Sequence, residues 1–208
     1  MKIVFISDTH GFHGKLTLPE GDVLIHCGDV SGRGMESQIV DFLDWFTQQP
    51  HKHKIMIAGN HDFYFEQNTE SSIKKLIPDN VVYLNDSLVK VEGIKIWGSP
   101  ISTYFYNWAF NKHKGNDIGK HWDLIPHDTD ILVTHGPAWQ IRDKTHSGVH
   151  VGCDLLQNKI FETKPRIHAF GHIHECYGQD LINDVNFINA SVLTADYKLS
   201  NKPIVFDW

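Results

Sequence analysis

Six short apolar runs, each closed by turn or polar residues, dominate this chain: KIVFIS (2–7), DVLIHCG (22–28), KIMIAG (54–59), DILVTHG (130–136), IHAFGHIH (167–174) and PIVFDW (203–208). They are continuous rather than alternating. A strand that is apolar on both sides needs cover on both faces, which a sheet inside a layered α/β protein receives. Between the second and third runs, MESQIVDFLDWFTQQ (35–49) sets Ile39, Phe42, Leu43 and Phe46 at i, i+3, i+4 and i+7, the spacing of an amphipathic helix. TESSIKKLI (69–77) and GCDLLQNKIFET (152–163) predict two further helices. SLVKVEGIKIWGSP (87–100) predicts a hairpin turning near Glu92-Gly93. The expected architecture is α/β: two mixed sheets packed face to face, with helices outside. Without a Gly/Ser- or Pro-rich linker, repeat or low-complexity segment, residues 1–208 read as one domain. The stretch 101–129, rich in aromatic residues, Asn and His, reads as an ordered loop.

Charge and composition narrow the function classes. A formal net charge of −6 argues against a non-specific DNA or RNA binder. No apolar stretch approaches the ~20 residues of a membrane span, and the N-terminal run meets a carboxylate at Asp8, too early for a signal-peptide core. The expectation is a cytoplasmic protein without a membrane partner; the sequence does not fix an oligomeric state. Cys27, Cys153 and Cys176 are odd in number, far apart and without a C-x-x-C, which argues against a disulfide framework or a cysteine-type zinc site.

The polar residues fall in a pattern. KIVFIS is followed by Asp8-Thr9-His10, and DVLIHCG by Asp29. KIMIAG is followed by Asn60-His61-Asp62. DILVT leads to His135, and IHAFG to His172-Ile173-His174. The carboxyl ends of strands in α/β sheets share one rim, where ligands bind. Asp8/His10 and His172/His174 are i, i+2 pairs, which extended chain would point to one side. Gly28, Gly59 and Gly171 each precede a candidate ligand, where a bare backbone permits a sharp turn or close approach. Asp8, Asp29 and Asn60 with His10, His135, His172 and His174 make seven oxygen and nitrogen ligands and no thiolate. That is too many for one ion and enough for two that share a carboxylate. The donor set suits divalent transition metals, Mn foremost, with Fe, Zn, Ni or Co as alternatives. Two such ions roughly 3.5 Å apart can clamp a phosphate and activate water. His13, His26, His51, His53, His113, His121, His127 and His168 are assigned no functional role.

Taken in order, D-x-H, G-D, G-N-H-[D/E], H-G and G-H-x-H resemble the signature of the calcineurin-like metallophosphoesterases. It stands here as Asp8-Thr9-His10, Gly28-Asp29, Gly59-Asn60-His61-Asp62, His135-Gly136 and Gly171-His172-Ile173-His174. IAGNHDF, THGPAWQIRD, VGCDLL, GHIHECYG and INAS further resemble the small branch of metallophosphoesterase-domain-containing proteins. In some animal members of that branch the first histidine of G-H-x-H is glycine; His172 is retained here. The resemblance implies a double β-sandwich flanked by helices. It implies a first ion on Asp8, His10, Asp29 and His174, and a second on Asp29, Asn60, His135 and His172, with Asp29 bridging. It also sets Asn60 and His61 against the substrate phosphate. His61 would act as general acid or as stabiliser of developing charge rather than as a ligand, with Asp62 either orienting it or serving as a capping or surface carboxylate. The implied reaction is attack of a metal-bridging hydroxide on phosphorus, without a covalent intermediate.

Substrate readings are less constrained. Ser/Thr phosphoprotein phosphatases carry G-D-x-V-D-R-G, whereas this chain has Gly28-Asp29-Val30-Ser31-Gly32-Arg33-Gly34. Arg33 is therefore a candidate phosphate contact, and Arg142 in QIRDK another. YFYNWAFN (104–111), with Trp97 and Trp139, could floor a base-sized pocket. The expected substrate is a small phosphodiester or nucleotide, including 2′,3′- or 3′,5′-cyclic nucleotides. Two alternatives are a non-catalytic nucleotide-binding scaffold on the same fold and a metal-dependent nuclease.

Overall fold

The computed structural model describes residues 1–208. In chain order the elements are β1 (Lys2–Ile6), β2 (Val23–Cys27), α1 (Glu36–Thr47), β3 (His53–Ile57), α2 (Phe63–Gln67), α3 (Glu70–Leu76), β4 (Val81–Tyr83), β5 (Ser87–Val91), β6 (Ile94–Ser99), β7 (Ser102–Thr103), β8 (Asn111–Lys112), α4 (Asn116–Trp122), β9 (Ile131–Thr134), α5 (Asp154–Thr163), β10 (Ile167–Phe170), β11 (Gly178–Ile182), β12 (Val185–Asn189) and β13 (Ile204–Asp207). One sheet runs β13-β1-β2-β3-β4 and the other β11-β12-β10-β9-β6-β5; β7 and β8 form a small separate pair. Neighbours from β1 to β4 are parallel, as are β6, β9, β10 and β12, while β13, β5 and β11 add antiparallel edges. The expected pair of mixed sheets with helices outside is present.

Strand parity explains the continuous apolar runs. Ile3, Phe5, Val23, Ile25, Cys27, Ile55 and Ile57 meet Ile94, Ile96, Ile131, Val133, Ile167, Ala169 and Ile188 in the core between the sheets. The alternate residues, Val4, Ile6, Leu24 and Met56, belong to an outer core with Ile39, Phe42, Leu43 and Phe46 of α1. Trp97, Leu132, Phe170 and Phe187 do the same with Ile118 and Trp122 of α4 and Leu156 and Ile160 of α5. Both faces of every central strand are dry, and the hydrophobic gain from these side chains (~25 cal/mol per Å² of apolar surface) locks the register.

The hairpin turns at Glu92-Gly93 as read, with φ of 48° and 90°. Residues 101–129 are more regular than the loop expected: they hold β7, β8 and α4. α4 presents only Ile118 and Trp122 to the core, too few residues to give a readable period. The β11–β12 hairpin lies outside the expected elements. β11 exposes Gln179, Asp180 and Leu181 in a row, without an apolar alternation, and the hairpin's Asn183-Asp184 turn has both residues at positive φ, 50° and 65°.

The parallel strands of the two sheets deliver their carboxyl ends to one rim. There the sheets meet: Ser7, just past β1, bridges Ser191, just past β12, and the Val192 N–H donates to the Ser7 carbonyl at 3.0 Å. No helix is long and apolar enough to cross a membrane.

Candidate metal centre and pocket

All seven ligand candidates come together at this rim, on the loops that follow β1, β2, β3, β9 and β10. Three groups of side chains have ligand atoms within 4.8 Å of one another: Asp8–His10–His174, Asp29–His135–His172 and His10–Asp29–His61. Asn60 Oδ1 lies 2.9 Å from His135 Nε2. The route to convergence differs from the extended i, i+2 geometry expected. Asp8, His10, Asp29 and His172 have φ of 56°, 41°, 59° and 67°. These left-handed kinks fold the loops sharply after each strand. Such backbone strain in non-glycine residues, of order 1–3 kcal/mol each, is characteristic of functional sites. Gly59 and Gly171 serve the close approach predicted for them: a Cβ on the first would overlap the Asp29 carboxylate, and on the second the Asp8 carboxylate.

The imidazoles are oriented from behind. Nδ1 pairs with a backbone carbonyl in His10 (Ser31, 3.1 Å), His135 (Cys27, 3.0 Å) and His174 (Thr194, 3.1 Å). A carbonyl only accepts, so each Nδ1 carries the proton and each Nε2 points its lone pair into the site. His10 Nε2 is buried without a hydrogen-bond partner. His174 Nε2 lies 3.5 Å from Asp8, and His135 Nε2 3.3 Å from Asp29. Burial alone would lower the pKa of both rings, yet the carboxylates facing them push each up to about 9. His172, with burial dominant, falls to about 4. A proton on His135 or His174 here supplies the cation that the clustered carboxylates demand. The orphaned His10 nitrogen, the inward lone pairs and the oxygen/nitrogen donor set fit divalent transition metals.

Asp62 neither contacts His61 nor lies at the surface. Its buried carboxylate accepts from the backbone N–H groups of Gly59 (2.9 Å), Val30 (3.1 Å) and Ser31 (3.0 Å), and from Ser31 Oγ (2.7 Å). It ties the loop carrying Asp29 to the loop carrying Asn60. Burial and the nearby Asp29 charge push it up to about 6, against the pull of these donors. Asp8 is held in a similar way, by Ser191 Oγ at 2.6 Å and the His172 N–H at 3.1 Å. Sequence spacing gave no signal for the Ser191 contact, 183 residues away.

His61 faces the pocket beside the cluster. Its N–H donates to Asp29 Oδ1 at 2.8 Å, its Nδ1 pairs with the Gly32 carbonyl at 2.8 Å, and its ring stacks on Trp108 with centroids 4.2 Å apart. The ring is thus fixed with Nε2 free. His26 and His168, assigned no function, are buried and hydrogen-bonded to Thr9 and Thr134 at the strand ends.

The cluster floors a pocket of about 720 Å³, walled by Tyr104, Phe105 and Trp108 of the aromatic stretch and by Thr103, Lys114 and His150. Trp97, expected as part of such a floor, is instead 1% exposed in the outer core, and Trp139 stands behind Lys114 and His150. No arginine lines the pocket. Arg33 is exposed on its loop. The Arg142 guanidinium is occupied by the carbonyls of Cys176 (3.1 Å), Tyr177 (2.9 Å) and Gln179 (3.0 Å) and by the Asp180 carboxylate at 3.0 Å. Its fork therefore fastens the start of β11 instead of meeting a phosphate. QIRDK gives no hint of these partners, which lie more than thirty positions away.

Residues 1–176 match the family described as calcineurin-like phosphoesterase. The chain belongs to that family. It is 39% identical to human metallophosphoesterase domain-containing protein 1 over 229 residues, covering 99% of this chain and 70% of that protein. It is 34% identical to a UPF0046 protein of Caenorhabditis elegans over 231 residues, covering 100% of this chain and 80% of that one. The branch read from IAGNHDF and GHIHECYG is thereby shown. Among solved structures, a phosphopantetheinyl hydrolase of Mycobacterium tuberculosis superposes with a TM-score of 0.65 at 14% identity, over 94% of this chain and 90% of that one. That likeness concerns the fold alone. Family membership makes this phosphoesterase a hydrolase that acts on phosphoesters with divalent metal ions, for which the rim offers candidate ligands.

Proposed function

We propose that the protein hydrolyses small phosphodiesters, cyclic nucleotides foremost, at a dinuclear centre. Asp8, His10, Asp29 and His174 would hold one ion and Asp29, Asn60, His135 and His172 the other. The supporting observation is a cluster of inward-facing ligands at the floor of a pocket walled by aromatic rings and lacking arginine. Dianionic monoesters favour a bidentate guanidinium clamp. A singly charged diester needs less, and a nucleobase can stack on Tyr104, Phe105 or Trp108. Bound divalent ions would neutralise charge on the phosphoryl oxygens and activate water near neutral pH. The chain's own part is orientation and proton handling. The Gly32 carbonyl and the Trp108 face hold the His61 ring, and Nε2 is the atom at which a proton can pass to the departing oxygen. The fully furnished cluster speaks against a non-catalytic scaffold, and the acidic chain against a nuclease.

The test is hydrolysis of bis-(p-nitrophenyl) phosphate with and without Mn²⁺, followed by 2′,3′- and 3′,5′-cyclic nucleotides beside single-stranded DNA. Metal-dependent turnover with preference for cyclic nucleotides is expected. Inertness towards diesters in Mn²⁺, alongside ready hydrolysis of p-nitrophenyl phosphate, would replace this reading with a monoesterase.

A further inference from the structure

The pocket has a second polar wall apart from the ligand cluster. It is carried by the loop 137–153, on which the sequence motifs singled out neither Asp143 nor His150, and by Lys114 beside it. Asp143 is buried, and its Oδ2 accepts from the N–H groups of Gln140 (3.0 Å) and Gly152 (2.9 Å). Its Oδ1 meets His150 Nδ1 at 2.6 Å. The carboxylate is thus anchored to the backbone on one side and grips an imidazole on the other. The His150 side chain is 35% exposed, against 0% for Asp143. With Nδ1 engaged inward, the edge offered to the pocket is Nε2. Trp139 backs the arrangement: its ring lies 5.7 Å from the His150 ring, and Lys114 Nζ sits 4.7 Å from its centroid. Lys114 is the only lysine or arginine lining the pocket. The pocket's carboxylate outside the ligand cluster, Glu175, is turned by Oε1 to the His146 N–H at 3.0 Å.

A fixed imidazole edge and an ammonium share one aromatic support, on the same pocket as the aromatic wall and the phosphate-reacting floor. We propose that His150 and Lys114 form a distal subsite for a second anionic group of the substrate, so that the preferred phosphoesters are nucleotides bearing a further phosphate. This deepens the phosphodiesterase reading and rests on it. The roles divide simply. Lys114 provides charge. His150 meets the anion with a proton taken up on Nε2 as it binds, so that Nδ1–H donates to Asp143 and Nε2–H to the anion. Asp143 is a positioning residue that keeps that ring from swinging away and balances the charge it gains. In a chain of formal net charge −6, a lysine placed on the pocket is a selective feature.

A matched pair of chromogenic esters tests this: thymidine 5′-(p-nitrophenyl phosphate) and its 3′-phosphorylated form, which differ only in the distal phosphate. The wild type in Mn²⁺ is expected to favour the 3′-phosphorylated ester roughly tenfold or more in kcat/KM, the worth of one charge-assisted contact. Lys114→Met and His150→Gln should each bring that ratio towards one. The ratio is taken within each variant, so it does not depend on the folded fraction. Lys114→Met alters an exposed side chain, which keeps the test open should His150→Gln fold poorly. Equal use of the two esters by the wild type, or a ratio that survives both substitutions, overturns the subsite while leaving the phosphodiesterase intact. Failure to cleave bis-(p-nitrophenyl) phosphate would instead remove the underlying reading.

Discussion

His135 Nε2 lies 2.9 Å from Asn60 Oδ1 and 3.3 Å from the Asp29 carboxylate, while its Nδ1 sits 3.0 Å from the Cys27 carbonyl. A neutral imidazole has one N–H, and the carbonyl claims it. Three lone pairs then face one another in a buried space. Such an arrangement is stable only around a cation, either a proton or a metal ion.

The folded protein should therefore gain stability from divalent metal. At a free concentration one hundred times its Kd, Mn²⁺ should add about 2.7 kcal/mol. For a chain of this size that is a rise of roughly 5–10 °C in thermal midpoint, reversed by EDTA. His135→Ala should shrink the rise, because one ligand group is gone. A midpoint indifferent to Mn²⁺, Zn²⁺ and Co²⁺ in the wild type would contradict the ligand assignment.

Asp62→Asn probes the clasp between the two ligand loops. The amide keeps the shape of the carboxylate but turns one acceptor into a donor, facing N–H and O–H groups that already donate. A loss of about 2–4 kcal/mol in urea unfolding is expected, from the mismatched buried contacts, together with weaker metal binding although Asp62 is not a ligand. Unchanged stability with altered turnover alone would make Asp62 a partner of the chemistry.

Much of this was legible in the sequence because it is local. Apolar runs such as KIVFIS name buried strands, and Ile39, Phe42, Leu43 and Phe46 name a helix face, since the periods that bury them are fixed by backbone geometry. Ligand identities followed from what stands at the strand ends. What sequence could not give is long-range or conformational. The left-handed kinks at Asp8, His10, Asp29 and His172 fall on Asp and His, which favour that region more than most residues, but too weakly to place a kink from residue type alone. The clasp from Asp62 to Val30 and Ser31 joins positions about thirty residues apart. Arg142 looked available because its captors, the carbonyls around Tyr177, are invisible until β11 is placed. The helix α4 escaped because a seven-residue element with two core contacts has no period to detect.

His172→Gly has a specific structural meaning. The residue sits at φ 67°, where glycine is at ease and other residues are strained. The backbone should keep its path and its N–H contact to Asp8, so the fold should survive. What disappears is an imidazole beside His135 and Asp29. Bound metal should fall from two ions towards one per chain, with a drop in turnover and little change in urea midpoint for the metal-free protein. Equal loss of both ions would mean that the two ligand sets are divided differently.

His61→Ala separates proton transfer from metal binding. The ring lies near enough to His10 and Asp29 to complete a ligand group of its own, yet its stacking on Trp108 and its tie to the Gly32 carbonyl present Nε2 to the pocket. If its work is at the departing oxygen, metal content should be unchanged and turnover should fall by roughly 10²–10⁴. The fall should be smaller for p-nitrophenyl esters, whose leaving group departs without a proton, than for nucleotide esters with alkoxide leaving groups. Trp108→Ala should reproduce a weaker version of the same pattern, because the ring it steadies remains but wanders. Equal losses on both ester types would assign His61 to stabilising charge on the phosphoryl group. Loss of an ion from His61→Ala would make it a ligand and dismiss both roles.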